Sequence, residues 1–294
     1  MKPKLTVVVT CTERKSAPAT RECQVRHLPK LSLTERHDTW LRRLDAAVGK
    51  KPVSHLYAGE AWRRAEAVLG AAAAAGFEPR LFVASAGLGL VPASALAPAY
   101  GATFTVGHDD SVASSVAGNR DWWTQFCAVG GKTLAGVAGD ATVVVLSETY
   151  ASALDADLAR LAETPGDHLL VGGSREIAGL TRLRSDLGLR HVLGGTAGSL
   201  NLRMAEAWLR KLTEPKLTDA QRMKGWVTWA DGVRKTERYD RRTLTDALVL
   251  EFIETLRAQH PGTSRTRALR MLRDSGHACE QARFANLFAQ AVAA

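Results

Sequence analysis

Apolar and polar positions alternate between two periods along the first two-thirds of the chain, and this alternation predicts the elements. Residues 5–10 form a β-branched apolar run, the signature of a buried strand. Residues 81–84 form another, and it ends in Ser85, Gly87 and Gly89, where the backbone can approach a ligand closely. After Pro92, residues 103–106 predict a further strand that delivers Gly107, His108, Asp109, Asp110 and Ser111 into a turn. Residues 142–146 and 168–171 predict two more strands, and a helix over 180–187 leads to a short apolar run at 191–193. Helical periodicity fills the intervals. One helix is capped by Ser32 or Thr34 and runs through Trp40, Leu41, Leu44 and Val48, and an alanine-rich one continues to about residue 75, where Gly76 stops it. Others are expected over 119–137, 152–162 and 202–212, while residues 16–34 carry no clear period.

Strands alternating with helices imply an α/β fold, here a three-layer sandwich around a mostly parallel central sheet. Beyond Pro215 and Lys216 only helical patterns remain, over 220–229, 242–259, 264–274 and 279–291. The organisation expected is an α/β domain over residues 1–214 and a small helical unit over 215–294.

Ligands of such sheets bind outside the carboxyl ends of the strands, so the candidate chemistry is sought there. Asp109 and Asp110 follow a predicted strand in a glycine-led turn, and Glu148 ends another beside Tyr150. Each suits a catalytic carboxylate, and each suits equally a helix cap or an arginine partner. Ser85, Gly87, His108 and Tyr150 are candidate substrate contacts. So are Ser199 and Asn201, in the glycine-dense loop 194–201 before a helix, where backbone amides can hold an anion. That loop lacks a Walker A lysine and the GxGxxG spacing, and a tight strand-to-helix turn explains it as well. Arg14 and Lys15, after the first strand, and Arg203 are candidate phosphate contacts. Trp122 and Trp123 suit either stacking on a base or, more simply, the core.

Composition narrows the partner more than the fold. With 46% hydrophobic and 23% charged residues the chain reads as an ordinary globular protein, but its net charge of +9 points to a polyanion, nucleic acid first. Arg265, Arg267 and Arg270 recur on successive turns of one short C-terminal helix, as in a small DNA-binding unit or a merely solvated basic face. Four cysteines without a CxxC pair argue against a zinc ribbon or a disulfide framework, so no metal and no cofactor is expected. The short apolar N-terminal run is not a signal peptide and no stretch reaches membrane-spanning length, which predicts a cytoplasmic protein with no membrane contact and no evident protein partner.

The segments SAGLGLVPASALAPAY and TFTVGHDDSV, with VVVTCTERKSAPA and LYAGEAW, resemble the uracil-DNA-glycosylase-like α/β domains found in archaeosine-synthase relatives and small bacterial proteins. The resemblance covers about residues 5–212. It implies the sheet, the position of the cleft and base excision as the reaction class. More narrowly the chain is similar to phage-defence DNA glycosylases that remove glucosylated hydroxymethylcytosine, which implies double-stranded phage DNA as partner. The GQDPYH and HPSP loops of uracil-DNA glycosylases are absent, so no catalytic role carries over by position. A tRNA-modification enzyme or binding module acting on a modified guanine, and a non-catalytic nucleic-acid-binding protein, are the alternatives.

Overall fold

A computed structural model of the chain describes residues 1–235 and 241–293. Its centre is a six-stranded sheet built from β1 (Lys4–Thr10), β2 (Glu78–Ser85), β3 (Gly89–Pro92), β4 (Ala141–Val145), β5 (Asp167–Val171) and β6 (Thr181–Leu183), in the order β3-β2-β1-β4-β5-β6. All neighbours are parallel except β2 and β3. Val7 pairs with Leu81 on one side and Val143 on the other, and Val143 in turn with Leu169. Val7, Val8, Val143, Val144, Leu169 and Leu170 are all buried. Strands covered on both faces tolerate apolar side chains at every position, which is why these runs do not alternate.

The covering helices are α1 (Leu33–Ala46), α2 (Glu60–Ala74), α3 (Val116–Ala128), α4 (Glu148–Ala153), α5 (Asp155–Ala162) and α6 (Leu200–Arg210), followed by α7 (Ala220–Val233). Ser32 and Glu35 close a reciprocal capping box at the start of α1. The alanines of α2 are a packing surface: Ala65, Ala71 and Ala72 are buried, and small side chains let α6 approach closely, with Met204 and Ala205 buried opposite. Across the same contact, Arg203 donates to the Glu60 carboxylate at 2.6 Å and to the Leu193 carbonyl at 3.0 Å. Arg203→Ala leaves both acceptors without this donor, and the expected loss of unfolding free energy is about 1–3 kcal/mol, read as a lower urea midpoint. An unchanged midpoint would show that this pair does not hold α2 to α6.

Four expectations fail, each for a local reason. Residues 103–106 form no strand beyond a single bridge from Thr103 to Ser111, because the edge of β2 is already taken by β3 through a short turn. A tight hairpin closes at a smaller entropy cost than pairing with a more distant run, and of the run Phe104 is buried while Val106 stays exposed. The helix expected over 180–187 is instead β6, and the run 191–193 lies in a helical turn, Arg190–Leu193. The helix expected over 119–137 ends at Ala128, where Gly130 at φ +82° precedes a separate turn, Leu134–Val137. The domain boundary lies at Lys235 instead of residue 214. Helix α7 belongs to the first unit because Trp226 packs edge-on against Trp208 of α6, 5.6 Å between ring centroids.

The second unit contains α8 (Asp246–Gln259), α9 (Arg265–Asp274) and α10 (Gln281–Ala293), with Arg242–Thr243 paired in parallel to His277–Ala278. Val249, Ile253, Leu272 and Phe284 form its own core. Ala268, Leu269 and Leu272 face inward from α9, and Arg265, Arg267 and Arg270 are exposed. Among the described residues no helix is long and apolar enough to cross a membrane.

Candidate functional site

At the carboxyl ends of β1 and β4 lies a cleft of about 400 Å³, lined by Cys11, Glu13, Lys15, Arg26, Asp110 and Tyr150 among others. Its base is a buried hydroxyl chain. The Tyr100 hydroxyl lies 2.5 Å from both the Tyr57 hydroxyl and Ser85 Oγ, and Ser85 Oγ accepts from the Gly87 and Leu88 amides at 3.0 and 3.1 Å. Tyr150 shares a hydrogen bond with Cys11 Sγ at 3.0 Å. Burial first, and Cys11 second, push the Tyr57, Tyr100 and Tyr150 phenols well above their usual range, so all three stay protonated at neutral pH.

This base is set rigidly by the turn after β2. Trp40 and Trp122 donate their indole N–H groups to the Gly87 and Ala86 carbonyls at 2.7 and 2.8 Å. Trp122 and Trp123 are both buried, so the plainer of their two readings holds. A Cβ on Gly87 would lie 2.5 Å from the Tyr100 ring. Gly87→Ala therefore has to displace Tyr100, and it is expected to cost about 1–3 kcal/mol of stability in a denaturant titration. A variant as stable as the parent would show that the ring has room to move.

One wall is an ion pair that the sequence reading did not foresee. The loop before α1 is held to Gly101, which accepts from the Val25 amide at 2.9 Å and donates to the Cys23 carbonyl at 2.8 Å. Arg26 is thereby placed to grip Asp110 with two bonds, Nε to Oδ1 at 2.8 Å and Nη2 to Oδ2 at 2.5 Å. Position 101 needs glycine, since a Cβ there would sit 2.6 Å from Asp110 Oδ2. The Arg26 guanidinium holds the Asp110 carboxyl below its ordinary value, so this buried aspartate is ionised. His108 Nδ1 accepts from the Asp110 amide at 3.0 Å, which leaves Nε2 of a neutral ring as the donor.

Lys15 also lines the cleft. Its backbone bridges to Tyr57, its Nζ lies 4.3 Å from the centroid of the Tyr100 ring, and it donates to the Thr12 and Glu13 carbonyls at 3.3 and 3.4 Å. Burial lowers its pKa, against the opposing pull of Cys11, Glu13 and Asp110.

Of the residues singled out from sequence, the cleft thus brings together Asp110, His108, Tyr150 and Lys15, with Ser85 and Gly87 supporting it from below. It does not bring in the others. Asp109 is solvated, touching Arg26 at 3.3 Å with most of its side chain exposed. Glu148 starts α4 in solvent and its Oε1 accepts from Ser152 at 3.5 Å. Asn201 donates to the Leu146 carbonyl at 2.8 Å and accepts from Ser185 at 2.7 Å, Ser199 turns back on the Thr196 carbonyl at 3.2 Å, and Arg203 is committed to Glu60. Ser199, Asn201 and Arg203, at and after the glycine-dense loop, are thus all held by partners within the chain. Arg14 is exposed, its aliphatic stem against Gly59. Arg265, Arg267 and Arg270 belong to the second unit. Arg26, Tyr57 and Tyr100 were not foreseen as site residues, whereas Cys11 and Glu13 lie in the loop after the first strand, beside Lys15. Tyr57 and Tyr100 lie within the segments LYAGEAW and SAGLGLVPASALAPAY. Arg26 carried no signal, because its loop has no period. Among the described residues no cluster of histidine, cysteine, aspartate or glutamate can hold a metal ion. No family model, curated protein or solved structure matches the chain.

Proposed function

We propose that the chain is a DNA glycosylase that extrudes a modified nucleotide from double-stranded DNA and hydrolyses its N-glycosyl bond, leaving an abasic site. The glucosylated hydroxymethylcytosine of phage DNA is the proposed substrate, and antiviral defence in the cytoplasm is the proposed setting. The observation that carries this reading is the cleft of about 400 Å³, whose lining holds the ionised Asp110 carboxylate, His108 and the half-buried Lys15. Excision of a base needs a negative charge near the anomeric carbon as the sugar becomes oxocarbenium-like, and a donor for the leaving base. Asp110 supplies the first and the Nε2–H of His108 the second, and a water attacks C1′. The net charge of +9 and the exposed arginines of α9 serve the phosphate backbone.

The test is incubation of the protein with matched DNAs carrying cytosine, uracil, hydroxymethylcytosine or glucosylated hydroxymethylcytosine. Released base and abasic sites are measured by mass spectrometry. Release from the glucosylated DNA alone is expected. Release from none, with DNA still bound, would overturn base excision in favour of a binding role.

A further inference from the structure

We infer that Lys15 is a nucleophile and that the protein also carries an abasic-site lyase activity, forming a Schiff base with the sugar aldehyde and cutting the strand. The inference takes its substrate from the base-excision reading above. Its grounds are the placement of the amine. Lys15 sits in the wall of the cleft, held by its backbone bridge to Tyr57, and its Nζ stands 4.3 Å from the Tyr100 ring centroid and 5.8 Å from that of Tyr57. Its hydrogen-bond acceptors are two backbone carbonyls, and among the described residues it makes no ion pair with a carboxylate. The two carbonyls, the ring faces and the charges of Cys11, Glu13 and Asp110 favour the ammonium, and burial, the largest influence on this amine, outweighs them and favours the neutral form that a nucleophilic lysine requires. Lys15 is half-buried beside the Tyr100 ring, the setting in which a lysine amine shifts toward its neutral form.

The reaction needs no outside oxidant. Once the base has left, the C1′ hemiacetal of the abasic sugar opens to an aldehyde. The neutral Lys15 amine adds to C1′, and the carbinolamine takes up a proton and loses one water, giving a protonated imine. Water removes a proton from C2′, the C–H electron pair forms the C2′–C3′ double bond, and the C3′–O bond breaks, so the phosphate leaves on the 5′ end of the downstream strand. One water then hydrolyses the conjugated imine, releasing an unsaturated aldehyde and restoring the amine.

Duplex DNA carrying a preformed abasic site, made without this protein, separates this step from base recognition. With sodium borohydride present, a covalent protein–DNA adduct is expected, and peptide mass spectrometry should place it on Lys15. Without reductant the strand should be cut, and Lys15→Met and Lys15→Arg should each lower cutting by at least about a hundredfold. No adduct, an adduct on another lysine, or cutting by Lys15→Met at the parent rate would overturn the inference. Mapping the adduct on the parent protein needs no variant to fold. If glucosylated base is released in the parallel assay while nothing is trapped, the lyase fails and excision stands. If Lys15 is trapped while no base is released, the lyase stands and excision fails.

Discussion

Asp110→Asn is expected to slow base release about 10²–10⁴-fold while DNA binding is retained. The size follows from electrostatics. A carboxylate about 4 Å from a developing unit charge, at an effective dielectric constant of about 20, is worth about 4 kcal/mol, or about three powers of ten in rate. Arg26 reduces that field but keeps the carboxylate ionised and aimed, so Arg26→Ala should also lose activity and should move the acid limb of the rate profile to higher pH. The sign follows from the depressed Asp110 value. The stabilisation from the Arg26 pair is fully present above the ordinary aspartate pKa, about 3.9, and is lost as pH falls through the lower folded-state value. Parent and Arg26→Ala should therefore differ in stability at neutral pH and converge in strong acid. Asp109→Asn and Glu148→Gln are the controls. Both carboxylates lie in solvent outside the cleft, and both variants should release base at close to the parent rate. If Asp110→Asn keeps full activity, the cleft is not where the glycosyl bond breaks.

The parallel sheet was readable because its strands are buried on both faces, so Val7 to Val9, Val143 and Leu169 announce themselves without any tertiary information. What the runs could not reveal was competition for an edge. Thr103 to Val106 has the composition of a strand and β6 at Thr181–Leu183 does not, yet position along the chain decided both. The site shows the same division. Asp110, His108, Tyr150 and Lys15 were legible as polar residues after strands or in turns, a purely local property. Which carboxylate enters the cleft was not legible, because it depends on Arg26, 84 positions away, and on a loop that Gly101 pins by backbone hydrogen bonds. The loop 194–201 carried two readings, an anion site and a tight turn, and Gly195 at φ +75° has a packing reason for being glycine, because a side chain there would collide with the Arg203 guanidinium.

Lys15→Met separates stability from function. Strand cutting at abasic sites should fall at least about a hundredfold while the variant melts no lower than the parent at neutral pH. The reason lies in the direction of the lysine shift. In the unfolded chain Lys15 titrates at its ordinary value, near 10.5, whereas burial beside the Tyr100 ring lowers it in the folded state. Between the two values the unfolded chain binds the extra proton, so folding is opposed below the folded-state pKa and relieved as pH rises through it. Methionine has a similar length, keeps the contact with the Tyr100 ring and carries no charge to desolvate. The parent should gain on the variant in stability as pH is raised, and the parent's lyase rate should climb over the same interval because the reacting amine must be neutral. A lysine that served only to hold a phosphate would give the reverse profile, with activity falling as the amine loses its proton. Melting curves and cutting rates of the parent and Lys15→Met across neutral to alkaline pH therefore distinguish a nucleophile from an anion-binding cation at this position.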